Sequence, residues 1–132
     1  MNDRLEEIAS IVIDTALGIH VDIGPGLMET VYEAVLENRL RNRGLKVDRQ
    51  KPIKVEIDNL VFPEAFRADL LVEDGLLVEL KSVETLAPIH GKQVLTYLRL
   101  LRLPLGLLIN FGGETLRQGV RRVVNNYGLV QE

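Results

Sequence analysis

Asp69, Glu79 and Lys81 are the residues whose types and spacing point to chemistry. They lie in RADLLVEDGLLVELKS, residues 67–82, where two apolar runs, 70–72 and 76–78, flank Asp74-Gly75 and read as paired strands. A two-residue Asp74-Gly75 loop would pair 73 with 76 and set Asp69 opposite Leu80, on a different face from Glu79. A three-residue loop, Glu73 to Gly75 with Gly75 left-handed and bulged, pairs 72 with 76. Leu71 then meets Leu77, Asp69 meets Glu79, and Arg67 meets Lys81. The second register is preferred, because it leaves Leu70, Val72, Leu76, Val78 and Leu80 as one apolar face and gathers the polar groups on the other.

Two carboxylates directly opposite have Cβ atoms roughly 5 Å apart, and like charges that close raise each other's pKa. A divalent cation held by Asp69 and Glu79 removes the conflict, and all-oxygen ligation suits Mg²⁺ or Mn²⁺. Lys81, one pleat beyond Glu79, would orient a water or offset developing negative charge. The plain alternative is a solvated surface hairpin. Leu77, Val78 and Leu80 argue instead for an interior strand.

The surrounding pattern supplies elements to position these groups. Leu5, Ile8, Val12, Ala16 and Ile19 recur at three- and four-residue spacing and predict a helix over 4–22, stopped by DIGPG. A second helix is expected over 27–43, with basic residues in its last turn and Gly44 as its cap. Residues 45–58 alternate, with Val47, Ile53, Val55 and Ile57 as the inward set, and Asp58-Asn59 is a turn. Strands follow in LVFPEAFRADLLV and LLVELKSV, a helix in APIHGKQVLTYLRLL, and a buried strand in LGLLINF. Gly112-Gly113 leads to a last helix over about 114–125. The order is ααβββαβα, an α/β arrangement in a single domain spanning 1–132.

Composition bounds the rest. The 132 residues include no cysteine, so neither a disulfide nor a thiolate metal site is available. No apolar run reaches the roughly 20 residues of a membrane span, and the charged start MNDRLEEIAS is unlike a secretory signal, which predicts a cytoplasmic protein. The net charge of −3 argues against bulk attraction to nucleic acid. Residues 39–54 nevertheless carry seven Lys/Arg against Asp48 alone. That stretch is either a phosphate-contacting surface or a solvated helix end followed by a guarded edge strand.

The spacing of Asp69 and Glu79-Leu80-Lys81 resembles the PD-(D/E)xK nuclease superfamily, with Ala68 where that superfamily usually has proline. GLMETVY, residues 26–32, resembles the motif of the GxxExxY protein family, a small branch of it, and the likeness runs over roughly residues 8–125. The resemblance implies a restriction-endonuclease-like core with a mixed central sheet flanked by helices. It implies a metal-dependent nuclease acting on DNA or RNA, or a catalytically inactive nucleic-acid or protein binding module on the same fold. Asp69, Glu79, the Leu80 carbonyl and Glu29 become the implied metal ligands, with Lys81 the catalytic lysine. Gln93 and Tyr97 match a Gln-x-x-x-Tyr element of the recombination-exonuclease branch and share one helical face. So compact a domain would cleave by structure or without specificity, or would need a homodimer or accessory protein to complete a groove.

The remaining candidates each carry two readings. His90, three residues before Gln93, either meets a phosphate or water or packs at the helix N-terminus; His20 reads as structural. Tyr32 and Tyr97 are either core residues with hydroxyls near the site or platforms for a base. Arg67 neutralises the acids or contacts phosphate. Glu33 and Glu37 extend Glu29 into an i, i+4, i+8 acidic row that reads as a wet helix face.

Overall fold

The structure is a computed structural model in which residues 2–126 are described. Helix α1, Asp3–Ile23, starts where the Asn2 side chain accepts the Leu5 N–H at 2.7 Å, and ends at Gly24 with φ +84°. Helix α2, Glu29–Asn42, begins two residues later than the spacing predicts and is closed by Gly44 at φ +85°. Its late start matters, because it makes Glu29 the first helical residue. Helix α3, Pro88–Leu101, opens on proline, whose missing N–H costs nothing there.

Five strands form one sheet in chain order: β1 (Val47–Ile57), β2 (Leu60–Val72), β3 (Leu76–Lys81), β4 (Leu105–Asn110) and β5 (Val120–Val124). Strands β3 and β4 are parallel, joined through α3; every other pair is antiparallel. The face carrying Leu70, Val72, Leu76, Val78 and Leu80 packs on Leu5, Val12, Ile19, Tyr32 and Leu36 of α1 and α2. The opposite face packs Leu77 and Leu108 on Val94 and Leu98 of α3. This is the α/β class that the residue pattern predicts, with the mixed sheet between helices that the resemblance implies.

The hairpin that holds the acids takes the preferred register, Val72 against Leu76 and Leu71 against Leu77. The left-handed residues in its turn are Glu73 and Asp74, at φ 52° and 56°, and not the expected Gly75. The turn is held from the residue before β1: Glu73 accepts the Lys46 N–H at 2.8 Å, and Asp74 pairs with the Lys46 amine.

Two other expectations are corrected. The segment expected to be a helix over 114–125 is a short 3₁₀ turn, Arg117–Gly119, followed by β5. Val120, Val123 and Val124 are β-branched and pair with β4, and Gly119 lies where a Cβ would sit 2.6 Å from the Asn110 carbonyl. The inward set of β1 does not share a face. Val47 joins the core under α1 and α2, whereas Ile53 and Val55 join the core under α3, and Ile57 is exposed. Simple alternation fails at Gln50, which lies between them and is left-handed at φ 51° while the register with β2 stays in step, Arg49 against Leu70 and Lys51 against Ala68; the register shifts only later, between Ile53 and Val55.

The basic stretch 39–54 is largely neutralised. Arg39, Arg41, Arg43, Lys46, Arg49 and Lys51 meet Asp22, Glu37, Asp14, Asp74, Glu33 and Asp48. It is a helix end leading into an edge strand, with its charge spent within the chain.

Candidate active site

The β2–β3 ladder ends at Leu70 against Val78, and carboxylates take over where it stops. The Asp69 N–H donates to Glu79 Oε2 at 2.8 Å, and the Leu80 N–H donates to Asp69 Oδ2 at 2.8 Å. Each acid therefore bonds the backbone of the other's strand, which pins both side chains in the fork between β2 and β3. Glu79 is only 6% exposed, because β3 lies between β2 and β4. Burial and then the neighbouring charge of Asp69 push its carboxyl up to about 8, against the pull of the Asp69 N–H and Lys81. Burial likewise raises Asp69, against the pull of the Leu80 N–H, with Glu33 adding to the rise. Lys81 ends β3, half-buried, opposite Asn110 of β4.

Glu29 is brought to the pair by the α1–α2 loop. The Tyr32 hydroxyl donates to the Gly24 carbonyl at 2.6 Å and accepts the Leu27 N–H at 3.1 Å, while its ring stacks on Phe111 with centroids 4.5 Å apart. Ser82, next to Lys81, donates to the Leu27 carbonyl at 2.7 Å. The loop is thus tied to the end of β3, and Glu29 starts its helix beside Lys81. Burial raises the Glu29 carboxyl; Lys81 draws it down, and Asp69 and Glu33 raise it further.

A third group of side chains joins the acids from β1. Gln50 Nε2 donates to Asp69 Oδ1 at 3.1 Å and to both oxygens of Glu33, at 3.0 and 3.1 Å. Glu33 also accepts from Arg49 Nε at 2.9 Å. Far from lying on a wet helix face, Glu33 is 2% exposed. Residue spacing gave no sign of Arg49 or Gln50, because Gln50 meets Asp69 from a left-handed backbone inside a strand. Glu33 had one signal, its position a helical turn beyond Glu29.

With this geometry in view, comparison with known proteins is decisive on family. Residues 6–123 match the PD-(D/E)XK nuclease superfamily. The chain belongs to that superfamily. No curated protein matches it. The five-stranded sheet between helices is accordingly a restriction-endonuclease-like fold. PD-(D/E)XK nucleases in general use divalent metals. The donor set here fits such an ion in its chemistry: carboxylate oxygens only, with burial opposing their negative charge and Asp69 and Glu79 repelling one another. Among the described residues, no three His, Cys, Asp or Glu side chains are drawn together tightly enough to hold an ion as they stand.

The other predicted site residues of this PD-(D/E)XK chain divide by position. Tyr97 stacks on Phe66 of β2, with centroids 3.9 Å apart, and its hydroxyl is raised by burial and then by the charges of Glu79 and Asp69. It therefore faces the acids from α3, with one ring face already covered. Gln93 is exposed one turn earlier on α3. His90 Nδ1 accepts the Ala87 N–H at 3.0 Å, so the imidazole caps α3. Arg67 does not lie opposite Lys81 as the hairpin register suggested. The β2–β3 ladder stops short of it, its partner on β1 is Pro52, and its guanidinium pairs with Glu64. Tyr32, expected as a substrate contact, is fully buried with its hydroxyl bonded on both sides, and serves the loop instead. A cavity of about 610 Å³ lined by Glu84, Asn110, Gly113, Glu114 and Arg121 lies beyond the ends of β3 and β4 and does not include the acid pair.

Proposed function

We propose that the protein is a metal-dependent nuclease of the GxxExxY branch, hydrolysing phosphodiester bonds of DNA or RNA. The observation that carries this reading is Glu79. It is a carboxylate in the central strand, raised to about 8, cross-bonded with Asp69 and two residues from Lys81. A fold does not bury an acid against another acid for stability, so the arrangement is that of a site. Asp69, Glu79, Glu29 and the Leu80 carbonyl would hold Mg²⁺ or Mn²⁺. A bound ion of this kind lowers the pKa of water and offsets charge on a phosphoryl group. Lys81 donates to the attacking water or to a phosphate oxygen and keeps the nucleophile in line. Tyr97 and Gln93 orient the substrate from α3, with Arg67 and His90 at the margins, where their present bonds would have to yield.

Exposed Val21, Leu27 and Met28 beside Glu29, and Ile57, Leu60 and Val61 at the β1–β2 tip, support a second copy or an accessory protein as part of the working assembly. The chain is read as one domain acting in the cytoplasm.

The test is Mn²⁺-stimulated cleavage of single- and double-stranded DNA and RNA by the native chain and by the Asp69→Ala/Glu79→Ala double variant. Cleavage lost in the variant, with an unchanged circular dichroism spectrum, supports the reading. Equal cleavage by both proteins overturns it. No cleavage by either, with no Mn²⁺ binding near millimolar, favours the binding module that lacks turnover.

A further inference from the structure

Gln50 combines features that an edge strand does not need. It is a non-glycine residue in the left-handed region, at φ 51°, inside an otherwise extended strand. That conformation is costly for a side chain with no local hydrogen bond to reward it. Gln50 lies between the pairs Arg49–Leu70 and Lys51–Ala68, across from Asp69, with the register unchanged on either side. There its amide lies between two carboxylates. Nε2 is 3.1 Å from Asp69 Oδ1, 3.0 Å from Glu33 Oε1 and 3.1 Å from Glu33 Oε2. Arg49, the preceding residue, holds Glu33 from its other side at 2.9 Å. Glu33 is thereby anchored by a cation and an amide, and Gln50 passes that anchorage to Asp69.

We propose that Gln50 is a positioning residue, whose left-handed backbone serves to tie the Asp69 carboxylate to the Arg49–Glu33 pair. An Asp69 side chain held only by the Leu80 N–H can rotate about that single bond. The second bond, at Oδ1, fixes the plane of the carboxylate. The same amide keeps Glu33 at a distance, so a third acid does not close on the pair. The consequence for a cation rests on the nuclease reading: Gln50 would prearrange Asp69 as a ligand without itself donating to the ion, whose affinity depends on such outer contacts.

Gln50→Gly and Gln50→Asn separate the tie from the left-handed backbone. Glycine and asparagine both accept a left-handed φ, so the backbone is kept. Glycine has no amide, and asparagine is one methylene too short. Two readouts are taken on the full chain. The first needs no metal: hydrogen exchange of the Leu80 N–H, which Asp69 protects, against that of Leu107 and Ile109 in β4. Both variants are expected to speed Leu80 exchange about tenfold, the scale of one lost hydrogen bond, with β4 unchanged. Unchanged Leu80 exchange overturns the proposal. The second readout is calorimetric Mn²⁺ affinity, expected to weaken about 10- to 100-fold in both variants. Faster Leu80 exchange in a chain whose native form binds no Mn²⁺ would uphold the tie and sink the nuclease reading. Native Mn²⁺ affinity in both variants would show that the tie does not serve the ion and overturn that part of the proposal.

Discussion

Glu33 and Glu79 are buried almost equally, at 2% and 6% exposure, and live under opposite conditions. Glu33 is met by the Arg49 guanidinium and the Gln50 amide. Glu79 is met by one backbone N–H and faces the charge of Asp69, and its carboxyl rises to about 8. Both are acids taken out of water, so burial is not what separates them. The supply of donors is. Glu33 is satisfied and holds α2 to β1. Glu79 is left with a charge that the protein alone does not answer, which is the condition of a group awaiting a ligand or a proton.

The largest expected effect follows from that unanswered charge. Glu79 has a folded pKa of about 8 against an ordinary 4.5. Below about pH 4.5 it is protonated whether the chain is folded or not. Between 4.5 and 8 the folded state keeps a proton that the unfolded chain releases, so stability falls as pH rises, and above about 8 the loss is complete. Discounted for its coupling to Asp69, the loss is on the order of 3 kcal/mol. Urea unfolding at pH 5 and pH 8.5 should show the native chain losing stability across this window. Glu79→Gln should lose clearly less, the remainder belonging to Asp69, which is raised in the same direction. Equal losses in the two proteins would put Glu79 on the same footing as Glu33 and dissolve the contrast.

The converse experiment removes the donors from the satisfied acid. Arg49→Met leaves Glu33 with the Gln50 amide alone. Breaking a buried ion pair from one side costs about 3–5 kcal/mol, but the Arg49 side chain is 34% exposed, so water would relieve part of it. A loss of about 2 kcal/mol in unfolding free energy is expected, most of it regained in Arg49→Met/Glu33→Gln, where the charge is gone. A loss within about 0.5 kcal/mol would mean that Arg49 behaves as an ordinary surface cation.

These contrasts also mark what the residue order could convey. Asp69, Glu79 and Lys81 were legible because local rules govern them: a hairpin register set by loop length, and one apolar face that excludes the alternative pairing. Helices α1, α2 and α3 were legible from their apolar spacing. The Arg49–Glu33–Gln50 group was not, for it depends on a left-handed residue inside a strand, which breaks the alternation by which strands are read, and on a contact between α2 and an edge strand. β5 was misread for a related reason. Leu116, Val120, Val123 and Val124 fit a helical stripe, and only the close approach of Gly119 to the Asn110 carbonyl shows that the chain must turn back flat against β4. Arg67 was misplaced because the hairpin was assumed to continue past Leu70, where the carboxylates in fact end it.

The smallest effect sharpens the division between residues that serve Glu79's side of the site and those that touch a substrate. Tyr32→Phe keeps the ring against Phe111 and removes only the hydroxyl, freeing the Gly24 carbonyl and the Leu27 N–H. Leu27 is 43% exposed, so water can take up part of what is lost, and a decrease of about 1 kcal/mol is expected in urea or thermal unfolding. The Ser82 bond to the Leu27 carbonyl still holds the loop to β3, so Glu29 should stay near its place and cleavage should fall by less than about tenfold, the equivalent of about 1.4 kcal/mol. A phenylalanine variant of native stability but with cleavage abolished would reverse this assignment. The hydroxyl would then act on the substrate, and the loop it bonds in this structure would have to open for the reaction.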